Sequence, residues 1–157
     1  MSLTAFFMLF KKKISQLRQI KKNLNRFIGE SALRHSNIIE DFITEDQLFE
    51  KGIDGLGKSL GQYAPSTKFF KRTIAGRLGR DTRSDHITLR DTGAFHSSIK
   101  VRLERDGIKI DSDPIKEDKN LLEVYGEEIL FLTEENLTEF RNVLLKDDLI
   151  RKIRAAL

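Results

Sequence analysis

A chain of 157 residues, 39% hydrophobic and 33% charged, is long enough for one sizeable core and reads as a single polar domain, residues 1–157. It has no Cys, which excludes disulfides, thiolate nucleophiles and Cys-type zinc sites and suits a reducing compartment. No apolar run approaches the length of a membrane-spanning helix, so no membrane partner is expected. The net charge of +4 is laid out in blocks. Residues 1–35 carry eight basic and one acidic residue, 36–52 one and five, 53–110 twelve and six, and 111–157 seven and twelve. Alternating blocks favour head-to-tail contact between copies or pairing within one copy, and differ from the uniform basicity of a dedicated nucleic-acid binder.

The N-terminal helical region spans residues 1–43. Leu3, Ala5, Phe6, Phe7, Met8, Leu9 and Phe10 are apolar, and Lys11-Lys12-Lys13 follow them. A secretory signal has its positive charges before the apolar run, so this start reads as a buried or partner-facing helix. Ile14, Leu17, Ile20, Leu24, Phe27 and Ile28 recur at helical spacing and predict an amphipathic helix continuing toward Ile38 and Ile39 despite Gly29. Residues 44–85 are predicted as a short helix followed by a long basic loop. Thr44 and Gln47 fit a capping box, and Gly52 would end the helix. The Gly-rich stretch from Gly52 to Asp85 predicts a mobile loop with few apolar anchors.

Residues 86–111 are predicted to be strands. His86 to Leu89 reads as a short strand. Asp91-Thr92-Gly93 is a turn signal running into an alternation that puts Phe95, Ser97, Ile99, Val101 and Leu103 on one face. Asp106-Gly107 marks a hairpin turn, after which Ile108 and Ile110 resume the pattern. Residues 112–157 are predicted as C-terminal helices. Asp113-Pro114 would open one, Leu121, Leu122 and Tyr125 would form its inner face, and Gly126 would stop it. Thr133 is a second cap, followed by an apolar stripe from Leu137 to Ile153 with a break at Asp147-Asp148. The predicted fold class is therefore α+β: a small antiparallel sheet with a central hairpin, packed against N-terminal and C-terminal helices, with a long Gly-rich basic loop.

Gly52 to Ser59 matches the phosphate-loop pattern G-x-x-x-x-G-K-S. That chemistry needs a buried strand before the loop and a helix after it, and the charged, helix-like residues before Gly52 provide no strand. The match therefore reads as accidental. His35, His86 and His96 have no metal-ligand spacing, and Pro114 disrupts a calcium reading of Asp111-Ser112-Asp113. No enzyme, metal or cofactor is expected. Lys68, Lys71, Arg72, Arg77, Arg80 and Arg83, with Phe69 and Phe70 among them, could track a phosphate backbone, contact an acidic neighbour or stay solvated.

The order of these pieces resembles a known family. Gln47-Leu48-Phe49-Glu50-Lys51-Gly52-Ile53-Asp54 is followed by Gly57-Lys58-Ser59-Leu60 and Tyr63-Ala64-Pro65-Ser66-Thr67. Then come Leu89-Arg90-Asp91-Thr92-Gly93, Tyr125-Gly126 and Leu132-Thr133-Glu134-Glu135-Asn136-Leu137. Over roughly residues 36–157 this resembles the virion morphogenesis, or tail-completion, proteins of tailed bacteriophages and prophages. Leu89, Asp91, Thr92, Gly93, Phe95 and Ile99 carry the most specific part. After Tyr125 many members have an Arg-Pro-Phe stretch, where this chain has Glu127-Glu128-Ile129-Leu130-Phe131.

The resemblance implies a small α+β structural protein with no catalytic residues. It would assemble in the host cytoplasm as a homo-oligomeric ring at the neck or head-proximal tail end of the virion. Its partners would be portal or connector and tail tube proteins, with contact to passing DNA through the basic loop. The alternative is a small nucleic-acid-binding protein using residues 68–83, with a nucleotide-binding enzyme a distant third.

Overall fold

In the computed structural model, the described residues are 3–105, 107–116 and 119–157. The chain is α+β, with long helices at both ends and two small antiparallel hairpins. Helix α1 runs Leu3–Arg34, and after a one-residue break at His35 the chain resumes as α2, Ser36–Asp41. It then widens without interruption into a π-helical segment, Phe42–Lys51. The predicted cap at Thr44 is thus inside a helix, where its hydroxyl donates to the Glu40 carbonyl at 2.9 Å. Fully buried Ile39, Ile43 and Leu48 explain the continuity, because they anchor both segments to one core. Gly52 ends the helix at φ 61°, as predicted; a Cβ there would also collide with the His86 ring.

The segment predicted as a long loop is partly helical. Helix α3 spans Pro65–Thr73, and a 3-10 turn follows at Ala75–Leu78. Pro65 opens the helix at its first turn, where its missing N–H costs nothing. The predicted strand at His86–Leu89 is irregular backbone instead, since Leu89 adopts φ 52°, incompatible with a strand. Gly93 at φ 87° then starts a helical turn, α4, Ala94–Ser98. The Ser97 hydroxyl donates back to the Gly93 carbonyl at 2.9 Å. The alternation therefore begins only after this turn, and Ser97 is exposed rather than facing the core with Phe95.

Strands β1 (Lys100–Glu104) and β2 (Gly107–Asp111) pair antiparallel, with Val101 opposite Ile110 and Glu104 opposite Gly107. The predicted turn residue Asp106 lies outside the described residues. Ile99 and Val101 are buried while Lys100 and Arg102 are exposed, which is the predicted register; Leu103 is 43% exposed. Glu40 of α2 ties the edge of β1, accepting from the Val101 N–H at 3.1 Å and pairing with Lys100 at 2.8 Å.

Asp113-Pro114 does not open a helix. The Asp113 carboxylate accepts the Ile115 N–H, and a second hairpin follows, β3 (Ile115–Lys116) and β4 (Lys119–Asn120). Asn120 caps helix α5, Leu121–Tyr125, which stops at Gly126 as predicted. A 3-10 turn, Glu127–Leu130, leads to the predicted cap Thr133 and helix α6, Glu134–Glu139. The chain continues through a π-helical Phe140–Leu145 into α7, Lys146–Ala156. The break predicted at Asp147-Asp148 is absent because Asp148 is buried, receiving Arg34, His35 and Arg151. With Glu30–Lys152 at one end and Lys13 donating to the Leu157 carbonyl at the other, α7 lies antiparallel along α1.

One core joins these layers: Ile39, Ile43 and Leu48 from the first helical pair meet Phe95, Ile99 and Val101, with Leu121, Ile129 and Phe140 closing it. Ile99→Ala should therefore destabilise the fold by about 2–5 kcal/mol in urea denaturation, the cost of emptying a closed site. Arg102→Ala, one strand position from Val101 but exposed, should stay within about 0.5 kcal/mol. Similar losses for the two variants would place Ile99 outside the core.

Candidate functional site

The residues that carry the resemblance and the basic segment come together around residues 71–91. Helix α3 is held on the motif loop by a buried ion pair: the Lys71 ammonium donates to the Asp81 carboxylate at 2.8 Å and to its carbonyl at 3.1 Å. Thr88 donates to the same carboxylate at 2.8 Å, and the Arg83 N–H donates at 2.9 Å. Burial works to raise the Asp81 pKa, but the hydrogen bonds from Lys71, Arg83 and Thr88 outweigh it, leaving it below the ordinary value. The Tyr63 hydroxyl lies 3.1 Å from the Thr88 hydroxyl, and the Lys71 ammonium sits 4.7 Å from the Tyr63 ring centre. His96, buried against Thr88, places Nε2 2.9 Å from its carbonyl, and burial pushes the imidazole pKa below its ordinary value.

A second ionic centre adjoins the first. The Arg80 guanidinium grips Asp91 through both carboxylate oxygens, and Lys116 joins at 3.1 Å. The Arg80 hydrogen bonds, opposed by burial and helped by Lys116, hold the Asp91 pKa down at about 2. Phe49 is flanked by two cations, Arg83 at 4.6 Å and Arg90 at 4.7 Å from its ring centre. Those arginines pair with Glu50 and Glu45. Arg83 and His86 also donate to, or lie against, the Phe49 carbonyl at 2.9 Å each, satisfying the end of the preceding helix.

Of the six basic candidates, three are thus built into the fold: Lys71, Arg80 and Arg83. Lys68 donates to Gln62 at 2.7 Å, Arg72 donates to Ser84 at 3.0 Å, and Arg77 is exposed. Among the motif residues, Leu89, Phe95 and Ile99 are buried, Asp91 is the ionic anchor, and Gly93 makes the turn. Thr92 is exposed, its hydroxyl accepting from the Ala94 N–H at 3.4 Å. Sequence reasoning missed Asp81 and Thr88, single polar residues without a periodic pattern to mark them, and named Tyr63 and Arg90 only within the stretches that carry the resemblance, with no role of their own. A cleft of about 550 Å³ opens beside the network, with Phe70, Ile87 and Leu121 in its wall and Arg80, Lys116 and Lys119 around it.

The phosphate-loop match has different chemistry. The carboxylate of Asp54 accepts the Leu56 and Lys58 N–H groups at 2.9 Å each, inside a tight turn bridged by Ile53 and Ser59. An internal carboxylate therefore occupies amides that a phosphate would need, with a helix before the loop and extended chain after it. Among the described residues, no group of His, Asp or Glu is arranged to hold a metal ion, and no helix is long and apolar enough to cross a membrane.

Among the described residues, an exposed apolar run and an apolar groove stand out. Phe6, Phe7, Met8, Leu9 and Phe10 are each more than half exposed, and Phe6 stacks on Phe10. Residues of β2, Leu122 and residues from 127–137 line an apolar groove of about 660 Å³. Comparisons of the chain with protein-family models, with curated proteins and with solved structures find no match.

Breaking the buried pair with Lys71→Met should cost about 3–5 kcal/mol in urea denaturation, because Asp81 is left buried and unpaired. Replacing both partners by apolar residues should cost less than the sum of the single variants. Asp91, with its folded pKa depressed, should contribute its full stability above the ordinary carboxylate value, about 4. That contribution should be lost as pH falls toward about 2. Asp91→Asn should flatten the stability curve across that window, and an unchanged slope would show that Asp91 is not anchored in solution.

Proposed function

We propose that this chain is a structural component of a tailed-phage virion, at the neck or head-proximal tail end. It would complete the tail or join head to tail as a homo-oligomeric ring. The observation that carries the reading is the exposed apolar run Phe6 to Phe10. A helix that is apolar all round is ordinarily buried, and exposed apolar patches of this kind mark protein contacts. A subunit that completes its burial only on assembly has this character. The resemblance of residues 36–157 to tail-completion proteins supplies the setting: assembly in the host cytoplasm, residence in the virion, and portal, connector or tail tube proteins as neighbours.

The nucleic-acid reading is weakened by the engagement of Lys71, Arg80 and Arg83 inside the fold. A phosphate-tracking loop keeps its cations available to release counterions. Arg72 and Arg77 are exposed and could face DNA passing through a ring.

Light scattering on the purified chain should give a closed oligomer. Deleting the gene from an inducible prophage should leave heads and tails unjoined or tails unfinished, and the protein should be found in purified particles by mass spectrometry. A monomer at all concentrations with salt-dependent DNA affinity, lost in Arg72→Glu with Arg77→Glu, would overturn the proposal in favour of nucleic-acid binding.

A further inference from the structure

The apolar run Phe6–Phe10 and the groove by β2 are both exposed, and the fold keeps them apart within one chain. Gly29 of α1 packs so closely on the hairpin that a Cβ would meet Leu103 at 2.7 Å and the Gly107 carbonyl at 2.9 Å. Ile108, which follows Gly107, lines the groove. Phe10 lies nineteen residues back along the same helix, a distance of about 28 Å at about 1.5 Å per residue. A continuous helix cannot fold its start back to the groove. Among the described residues, the last hydrogen bonds between α1 and α7 fall at Lys13 and Gln16, so Phe6–Phe10 form an arm projecting past that contact.

The groove suits this arm in apolar lining and charge. Its wall is Ile108, Ile110, Leu130, Phe131, Leu132 and Leu137, with Lys109 and the acidic Asp111 and Glu127 also in the lining. It adjoins a second hollow of about 480 Å³, through shared Phe131 and Leu132, where Leu56 is exposed and Glu134 adds another carboxylate. The arm is followed directly by Lys11 and Lys12, both exposed. Three Phe, one Met and one Leu, half or more exposed, offer on the order of 500 Å² of apolar surface. Consecutive helical residues point around the whole circumference, so about half of that surface can face one groove, a core for an interface of roughly 800 Å² per partner rather than the whole of it.

We infer that the Phe6–Phe10 arm of one copy seats in the β2-side groove of the next copy, with Lys11 and Lys12 meeting the carboxylates of Glu127 and Glu134 on its rim. Arm and groove are different patches of one molecule, so the contact is head-to-tail. Each copy keeps a free groove at one end and a free arm at the other, and such contacts close into rings when the rotation allows. The inference rests on the proposed self-assembling role and specifies how that assembly is made.

The absence of Cys in the chain makes the test direct. Full-length Phe7→Cys and Leu137→Cys chains are mixed in equal amounts, oxidised, and analysed by mass spectrometry. A cross-link between Phe7→Cys of one copy and Leu137→Cys of another is the expected result. Leu137→Asp should weaken self-association about tenfold or more, as loss of an apolar anchor does. Val143→Asp, at an exposed apolar position outside the groove, should leave it unchanged, with circular dichroism confirming that both variants fold.

Cross-links only between two Phe7→Cys chains would mean that arms bundle together, and would overturn the inference. So would binding of the arm to phosphatidylglycerol vesicles without an arm-to-groove cross-link. A closed oligomer without that cross-link would sink the inference and leave the ring standing, whereas a monomer in every condition would sink both. A cross-link in a protein that never enters particles would support the contact and overturn the virion role.

Discussion

The buried Lys71–Asp81 pair is the constraint on which the middle of this molecule depends. Residues 79–93 have almost no regular secondary structure, so their backbone groups cannot be satisfied by a ladder or a helix. Side chains do that work: Asp81, Thr88, Tyr63 and Arg80 knit the segment to α3 and to the motif loop. An ammonium and a carboxylate both about 6% exposed would be unfavourable if either were left with unmet hydrogen bonds. Here Asp81 receives Lys71, Thr88 and a backbone N–H, and Lys71 also reaches a carbonyl and a ring face. The pair therefore fixes one arrangement of the chain, because any slip leaves a buried charge unpaired. It also positions Asp91, whose carbonyl accepts the Asp81 N–H at 2.8 Å and whose carboxylate joins Arg80, just past the 3-10 turn, to Lys116 of the second hairpin.

The alternating charge of the sequence is largely resolved within the chain. Glu40, Glu45 and Glu50 of the acidic block lie on one helical run and pair with Lys100, Arg90 and Arg83 of the basic block. Glu30 and Asp148 make the corresponding link between α1 and α7. Exposed pairs of this kind contribute only ~0–1 kcal/mol each, so they orient elements whose packing supplies the stability. Charge that is spent internally is not available to a partner, which is why the basic count of residues 68–83 overstates their capacity to hold nucleic acid.

Much of this architecture was legible in the sequence where a periodic or stereochemical signal existed. The amphipathic repeat from Ile14 to Ile28 gave α1, the alternation from Ile99 to Val101 gave the strand register, and Gly52, Gly126 and Thr133 gave three boundaries. The misses have a common cause. Helix α3 contains Lys68, Lys71 and Arg72 and exposes Phe69, so its inner face is not an apolar stripe; the residue it buries is a lysine. Pattern reading assigns such a segment to solvent. Leu89 in the left-handed region was equally invisible, since nothing about a leucine announces positive φ. Thr44 and Asp148 misled in the opposite way: polar residues that suggest helix ends were absorbed into helix interiors, Thr44 by a backbone carbonyl and the buried Asp148 by Arg34, His35 and Arg151 around it. At the candidate site, Asp91 and Gly93 could be picked out as turn chemistry, but the Arg80 that Asp91 pairs with is a contact across eleven residues that no local pattern encodes.

The division between a sealed interior and two uncovered apolar surfaces bears most directly on function. The core closes fully around Ile39, Ile43, Leu48, Ile99 and Ile129, so exposure of Phe6–Phe10 is not a symptom of a poorly packed chain. The same helix that exposes them is pinned at its other end by the close approach at Gly29 and by the ionic links from Glu30 and Arg34 to α7. A rigid lever with an apolar tip cannot hide that tip by local collapse, and water contact with five consecutive apolar residues is a standing cost. In the proposed assembly, association would remove that cost without disturbing the core, so a subunit would be stable before assembling and adhesive because of how it is built. An assembly subunit needs both properties, and in this chain they are carried by opposite ends of α1.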